Sequence, residues 1–296
     1  MVVALYGHSV DNEHKKSIEL LLYEFEKRSV QIIVYAPFLA FLEKLLEQKL
    51  IIKAVYRTPG EVKHLANFML SIGGDGTFLE SVSYVEDSEI PVIGINFGRL
   101  GFLAHISSED IPKAIDQLFK KEYTIEKRSA LQIYMDDNVF GKFPFALNDL
   151  TIQKKGTTMI TINAYIDGEF LCTYWADGLI VSTPTGSTAY SLSVGGPIVS
   201  PSAKAFVISP IAPHHLTVRP LVIPDESEIS FEVESREKEI LISLDSRSVP
   251  VNSNVQIKVS KASFYIGLVR LKGTGYNKTL REKLMWGVDS RNSLCN

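Results

Sequence analysis

The sequence predicts an α/β, Rossmann-like N-terminal domain followed by a β-rich, sandwich-like C-terminal domain. Three observations lead there. Up to about residue 125, short apolar runs alternate with stretches of helical periodicity, as in a parallel sheet with helices on its faces. Beyond Tyr123 the pattern changes to short strands separated by turn chemistry, as in an antiparallel sandwich. The length, 296 residues, also exceeds what a single core usually holds. The expected division is 1–124 for the α/β domain and 125–272 for the β-rich one. The remainder, 273–296, carries a helix that folds back on the first domain.

Val2 to Tyr6 reads as the first strand, and Asn12 to Arg28 as a helix with Ile18, Leu21, Leu22 and Phe25 on one face. Val30 to Tyr35 is a second strand and Phe38 to Leu50 a second helix. Phe68 to Ile72 forms a third strand, followed at once by Gly73-Gly74-Asp75-Gly76 and a helix to about Val85. Pro91 to Asn96 is a fourth. Ser107 or Ser108 then caps a helix to about Lys121, with Glu109 and Asp110 in its first turn. In the second half the turns are Asp136-Asp137-Asn138, Lys154-Lys155-Gly156, Asp167-Gly168 and Arg236-Glu237-Lys238. Asp-Gly between apolar runs is a hairpin signal, because both central residues of that turn need positive φ. A short helix from Ser187 to about Val194 ends at Gly195-Gly196-Pro197, and a last one spans Lys278 to Met285.

Composition excludes several classes. Apolar residues make up 45% and charged residues 22%, the balance of an ordinary globular protein. The net charge of −3, with basic residues scattered among acids, gives no footprint for nucleic acid. No apolar run approaches the roughly 20 residues of a membrane helix. The start lacks the basic and small-residue pattern of a signal peptide. Two cysteines, Cys172 and Cys295, fit a reducing compartment, with Cys172 expected to be a buried small hydrophobe. A cytoplasmic protein with neither membrane nor nucleic-acid partner is expected.

Two segments carry chemistry. The first is Gly73-Gly74-Asp75-Gly76-Thr77, between a strand and a helix. Glycines there let the backbone approach an anion, and the helix N-terminus offers unpaired N–H groups and a positive dipole end. The loop has no P-loop lysine, and the chain has neither a Walker A nor a G-x-G-x-x-G pattern. Asp75 can bond a sugar hydroxyl and take its proton as the oxygen attacks phosphorus. It can equally be a helix cap. The flanking glycines favour the first reading, since a cap does not need them. The second segment runs from Asp177 to Pro197, an apolar strand followed by hydroxyl and glycine residues. Hydroxyls suit the polar edges and phosphates of a nucleotide, although alone such a run reads as turn and cap chemistry.

Together the two segments resemble the ATP-NAD kinase family. Asn96-Phe97-Gly98-Arg99-Leu100-Gly101-Phe102-Leu103, Leu147-Asn148-Asp149, Arg219 to Pro224 and Thr279 to Leu284 resemble it as well. The Gly-Gly-Asp-Gly-Thr loop is shared with diacylglycerol-type lipid kinases and phosphofructokinases, whereas the stretch from Asp177 to Pro197 is much more specific. The resemblance implies ATP-dependent phosphorylation of the 2′-hydroxyl of the adenosine ribose of NAD. Asp75 would be the catalytic base, Gly76 would line the NAD site, and Gly73, Gly74, Gly76 and Thr77 would form the phosphate loop. Asn148 and Asp149 would bind the adenosine part, making the second domain the NAD-binding one. Asp177 would contact a base or the nicotinamide amide. Thr188, Ala189, Tyr190, Ser191, Leu192 and Ser193 would wrap the dinucleotide, with Tyr190 stacking on it or covering it. The family fold would hold the substrate in a cleft between the domains. Mg²⁺ would accompany ATP, held by phosphates and water with no protein metal ligand. The chain would form a homodimer or homotetramer.

Three positions depart from the commoner family pattern: Asp149 for Glu, Trp175 for Arg and Arg247 for Gln. Trp175 cannot pair with a phosphate or carboxylate as arginine does, which leaves it stacking or packing. The six histidines show no metal-ligand spacing. His105 reads as a packed residue, and His214-His215 as shaping a loop. Two alternatives are a lipid or sugar kinase using the same glycine loop, and an NAD-sensing protein without chemistry. A sensor, however, needs no base.

Overall fold

The computed structural model describes residues 1–98 and 101–286. Cys295 lies outside them, as do Arg99 and Leu100. The chain divides into two units: Met1–Glu126 with the chain from Ile266 onward, and Lys127–Tyr265.

The first unit runs β1 (Val2–Gly7), α1 (Lys15–Lys27), β2 (Gln31–Tyr35), α2 (Ala36–Leu46), β3 (Ala54–Tyr56), β4 (Phe68–Ile72), α3 (Asp75–Val85), β5 (Val92–Asn96), β6 (Ile106–Ser107) and α4 (Ile111–Phe119). The second runs β7 (Tyr123–Tyr134), which begins in the first unit, then β8 (Phe145–Ala146), β9 (Asp149–Lys154), β10 (Ile160–Ile166), β11 (Glu169–Ala176) and β12 (Gly178–Ser182). It continues with α5 (Tyr190–Ser193), β13 (Ala205–Ile211), β14 (Leu221–Pro224), β15 (Ile229–Glu234), β16 (Glu239–Leu244), β17 (Arg247–Asn252) and β18 (Val255–Leu271). The end of β18 and α6 (Tyr276–Leu284) belong to the first unit.

The first unit is built on a parallel sheet in the order β3-β2-β1-β4-β5, with Leu268 of β18 pairing in parallel with Val92 on the far side of β5. Its strands are almost wholly buried and apolar, as expected when helices cover both faces. Ile18, Leu21 and Phe25 of α1 bury their predicted stripe against them. Three details differ from the sequence reading. Helix α2 starts two residues early, because Pro37 fits a first helical turn, and stops at Leu46, where Glu47 turns left-handed with φ +57°. Strand β3 is too short to show a period. Neither Ser107 nor Ser108 caps α4: a 3-10 turn over Ser108–Asp110 precedes it, and the Ser107 hydroxyl donates to Asp110.

The second unit packs two antiparallel sheets around one core. One sheet contains β11-β10-β15 with the first half of β18, the other β14-β13-β12-β9-β16-β17. Alternate residues meet inside: Ile160, Ile162, Phe231 and Val233 from one sheet, Leu150, Leu179, Phe206 and Ile242 from the other. Cys172 is half-buried at the edge of this cluster. The Asp167-Gly168 turn joins β10 and β11 with φ +52° and +83°, as its composition predicts. The predicted helix over Ser187–Val194 is instead a 3-10 turn (Gly186–Thr188) and the single turn α5, because Ala189 leaves helical geometry with ψ −132°.

The sandwich core makes a direct test. Phe231 is fully buried among these side chains. Phe231→Ala should cost about 3–5 kcal/mol of stability, read as a lower guanidinium midpoint at unchanged slope.

Candidate active site

In an open parallel sheet, ligands bind outside the carboxyl ends of the strands, where the strand order reverses. Here the order reverses between β1 and β4, since β2 and β3 extend from one side of β1 and β4 and β5 from the other. Gly7 pairs with Ile72, so the residues after both strands leave the sheet side by side. Strand β4 leads directly into Gly73 to Thr77. Gly73 has φ +146°, and a Cβ on it would stand 2.8 Å from the Thr77 Cβ. Only glycine fits there. The loop then opens α3, eleven residues long, with Gly74 as its N-cap. The N–H groups of its first turn lack intrahelical partners and stand at the positive end of the helix dipole, an arrangement that suits an anion.

Asp75 is the first residue of α3 and makes no cap bond; the cap is the extended Gly74. Its carboxylate reaches instead to the segment after β5. Oδ2 accepts from Phe102 N–H at 2.8 Å, and Oδ1 from Leu103 and Ala104 N–H at 3.0 and 2.9 Å. Gly101 presses against the same carboxylate, where any Cβ would overlap it. Beneath lies a polar layer that the sequence reading did not connect to Asp75. His105 Nδ1 donates to Leu103 O at 3.0 Å, which fixes its tautomer because a carbonyl only accepts. Burial and the neighbouring Arg270 charge push the His105 imidazole down to about 4, so it stays neutral. Arg270, 3% exposed, bonds Glu126 at 3.2 Å and Phe102 O at 3.4 Å. The signal for it was an arginine inside the apolar run Leu268-Val269-Arg270-Leu271. Nearby on the same sheet edge, Tyr6 and His8 both bond Glu80 of α3.

In the second unit, Asp245 does for Asn148 what the 102–104 segment does for Asp75, with the roles reversed. It sits at φ +53° in the turn between β16 and β17, and its carboxylate accepts from the N–H groups of Leu147, Asn148 and Asp149. The carbonyls of Leu147 and Asn148 in turn accept from the hydroxyl and the N–H of Thr183. The backbone of Asn148 is therefore fully engaged, while its half-buried side-chain amide has no hydrogen bond among the described residues. Arg128, buried, bonds the Thr185 hydroxyl at 3.3 Å.

The other expected site residues divide. Ser191 is buried, its hydroxyl 3.0 Å from that of Ser209, so it anchors the segment inward. Thr188 bonds back to Thr185, and Tyr190 and Ser193 are exposed. Ala189 and Leu192 are half-buried. Asp177 stands apart. It precedes β12 while Thr183 follows it, about 20 Å away by strand rise, and it is paired with Lys154 at 2.6 Å. Trp175 is exposed and stacks on His215 with ring centroids 5.2 Å apart. His214 N–H donates to the Trp175 carbonyl, so the two histidines shape the loop beside it. Arg247 is a clamp: its guanidinium donates to the carbonyls of Phe143 and Phe145 and lies over the Phe140 and Phe143 rings.

Burial, then the Asp245 charge, pushes the Asp149 carboxyl up to about 7, with its bond to Thr151 opposing. Burial pushes Asp245 up too, against its three N–H bonds and Arg247. Between the ordinary carboxylate range and about pH 7, the folded state thus holds a proton on Asp149 that the unfolded state has lost. Its contribution therefore falls as pH rises through that window and levels off above it. Asp149→Asn should remove this dependence, making the variant more stable than wild type at pH 8 by about 1–4 kcal/mol. The difference should shrink toward pH 4, as thermal unfolding across pH without ligand would report.

The chain matches the model of the ATP-NAD kinase N-terminal domain over residues 9–123 and of the ATP-NAD kinase C-terminal domain over 147–271. It is 44% identical to an NAD kinase of Cytophaga hutchinsonii, over 99% of this chain and 100% of that one. With an NAD kinase of Flavobacterium johnsoniae it shares 42%, over 99% and 100%. Among solved structures, yeast NADH kinase complexed with NADH superposes with a TM-score of 0.84 at 25% identity, covering 98% of this chain and 89% of that one. An NAD kinase from Archaeoglobus fulgidus in complex with ATP gives 0.73 at 25% identity, over 96% and 99%. A glycine loop at the switch point, the oriented carboxylate it carries and whole-chain similarity to these enzymes lead to one conclusion: this chain belongs to the ATP-NAD kinase family, which are phosphotransferases.

Proposed function

We propose that the protein transfers the γ-phosphoryl group of ATP to the 2′-hydroxyl of the adenosine ribose of NAD, giving NADP and ADP. The observation that carries this reading is the Asp75 carboxylate, fixed by three backbone N–H groups at the carboxyl end of β4. It is not spent on capping a helix. The ribose hydroxyl gives its proton to Asp75 as its oxygen bonds to phosphorus. The bond from phosphorus to the β-phosphate oxygen breaks, ADP leaves with that electron pair, and the proton passes on to solvent. Gly73, Gly74, Gly76 and Thr77 receive phosphate at the α3 N-terminus. Phosphoryl transfer asks mainly for such alignment and charge neutralisation.

The Asn148 amide and Asp149 hold the adenosine part of NAD, and Thr188 to Ser193 wrap the dinucleotide beneath Tyr190. The divalent cation arrives with ATP as part of that substrate and neutralises phosphate charge. The donor set fits this: the loop offers one carboxylate, already committed to N–H groups. Among the described residues, the only grouping of three ligand-type side chains is Asp11, Glu13 and His14, on the turn before α1. The protein works in the cytoplasm as a homodimer or homotetramer. Assembly would give Asp177, distant from Asn148 along β12, a role at a neighbouring copy's substrate. Among the described residues no helix is long and apolar enough to cross a membrane.

Asp75→Asn keeps one acceptor oxygen for the N–H donors but cannot take a proton. It should cut turnover about 10²–10⁴-fold, read as NADP formation with an NADP-specific dehydrogenase. NAD affinity by calorimetry should stay within a few-fold. Wild-type turnover in this variant would remove Asp75 from its role. Light scattering on the eluting protein should give two or four chain masses, and a monomer would refute the assembly.

A further inference from the structure

We propose that His105 and Arg270 are positioning residues for Asp75, acting through the peptide groups that hold its carboxylate. The proposal rests on Asp75 being the base. The geometry points to it peptide by peptide. The group joining Phe102 to Leu103 donates its N–H to Asp75 Oδ1, and its carbonyl accepts from Arg270. The next group, joining Leu103 to Ala104, donates its N–H to the same oxygen, and its carbonyl accepts from His105 Nδ1. Each peptide plane is thus held at both ends. Neither plane can rotate without breaking a bond to a half-buried imidazole or a buried guanidinium. Hydrogen bonds in such chains also polarise one another, so each carbonyl contact strengthens the N–H bond on the far side of its plane.

The consequence is an asymmetric carboxylate. Oδ1 takes two N–H bonds and Oδ2 one. Oδ2 is therefore the oxygen that receives the ribose proton, and the two peptide planes set where it points. Arg270 is itself fixed by Glu126, so the series runs from Glu126 through Arg270, peptide and Asp75 Oδ1. Displacing a reacting group by about 1 Å can cost about 10²-fold in rate without weakening substrate binding.

The test uses the full chain and NADP formation. His105→Asn places an amide N–H where Nδ1–H stands, whereas His105→Gln places it nearer the Nε2 position. His105→Asn should keep kcat within about 3-fold of wild type, and His105→Gln and His105→Ala should lower it about 10–10²-fold. KM for NAD and ATP should stay within about 3-fold in all three. Arg270→Lys, with a single donor in place of a fork, should recover only part of the kcat lost in Arg270→Met. Equal kcat in the Asn and Gln variants, or a change confined to KM, would overturn the proposal. If the Ala variant fails to fold, the Asn and Gln pair decides alone. Loss of turnover in Asp75→Asn together with unchanged kcat in the His105 variants would sink this inference and leave the base intact. Retained turnover in Asp75→Asn would instead sink the reading beneath it.

Discussion

Three N–H groups from successive residues converge on the Asp75 carboxylate, and three more converge on that of Asp245. A carboxylate removed from bulk water is costly unless its lone pairs are met, and a loop with unpaired N–H groups is costly in the same way. Each arrangement settles both costs at once. The loop is given one conformation by a charge, and the charge is given one orientation by the loop. In the first unit the oriented partner is the Asp75 side chain. In the second it is the backbone of Asn148, which leaves the amide above it free to face a ligand.

The two arrangements differ in what lies behind them. Asp245 stands near Asp149 and is offset by Arg247, whose charge it shares with two carbonyls and two aromatic faces. Arginine at this position therefore has a local physical account: it ties the β8 segment to the turn that carries Asp245. Behind Asp75 the support is a neutral imidazole and a buried guanidinium, each on a carbonyl. The sheet supplies position: the reversal of strand order between β1 and β4 leaves room for a ligand at the end of β4.

Much of the fold was legible because its periods are long and clean. The alternation of strand and helix up to Tyr123, the stripe on α1 and the Asp167-Gly168 turn are local signals, and local geometry obeys them. Boundaries were less legible where one residue's conformation decides, as at Glu47 and Ala189. The glycine loop was readable as a tight turn from strand into helix, since Gly73 needs a positive φ that other residues rarely adopt. Whether Asp75 caps that helix was not readable, because the competing partners lie some twenty-seven residues away, at Phe102 to Ala104.

The sequence by itself determined the two chain architectures, the family and the residue types available for chemistry. Those depend on period, turn chemistry and motif, all encoded within a few tens of residues. Only the tertiary structure decided which groups meet: Asp75 with the 102–104 backbone, Asp245 with Asn148, Arg270 with Phe102. Each of these pairs joins segments far apart in the chain, and hydrogen bonds of this kind leave no periodic trace. Asp177 shows the converse, since proximity in sequence to Thr183 becomes separation once the intervening residues extend as β12.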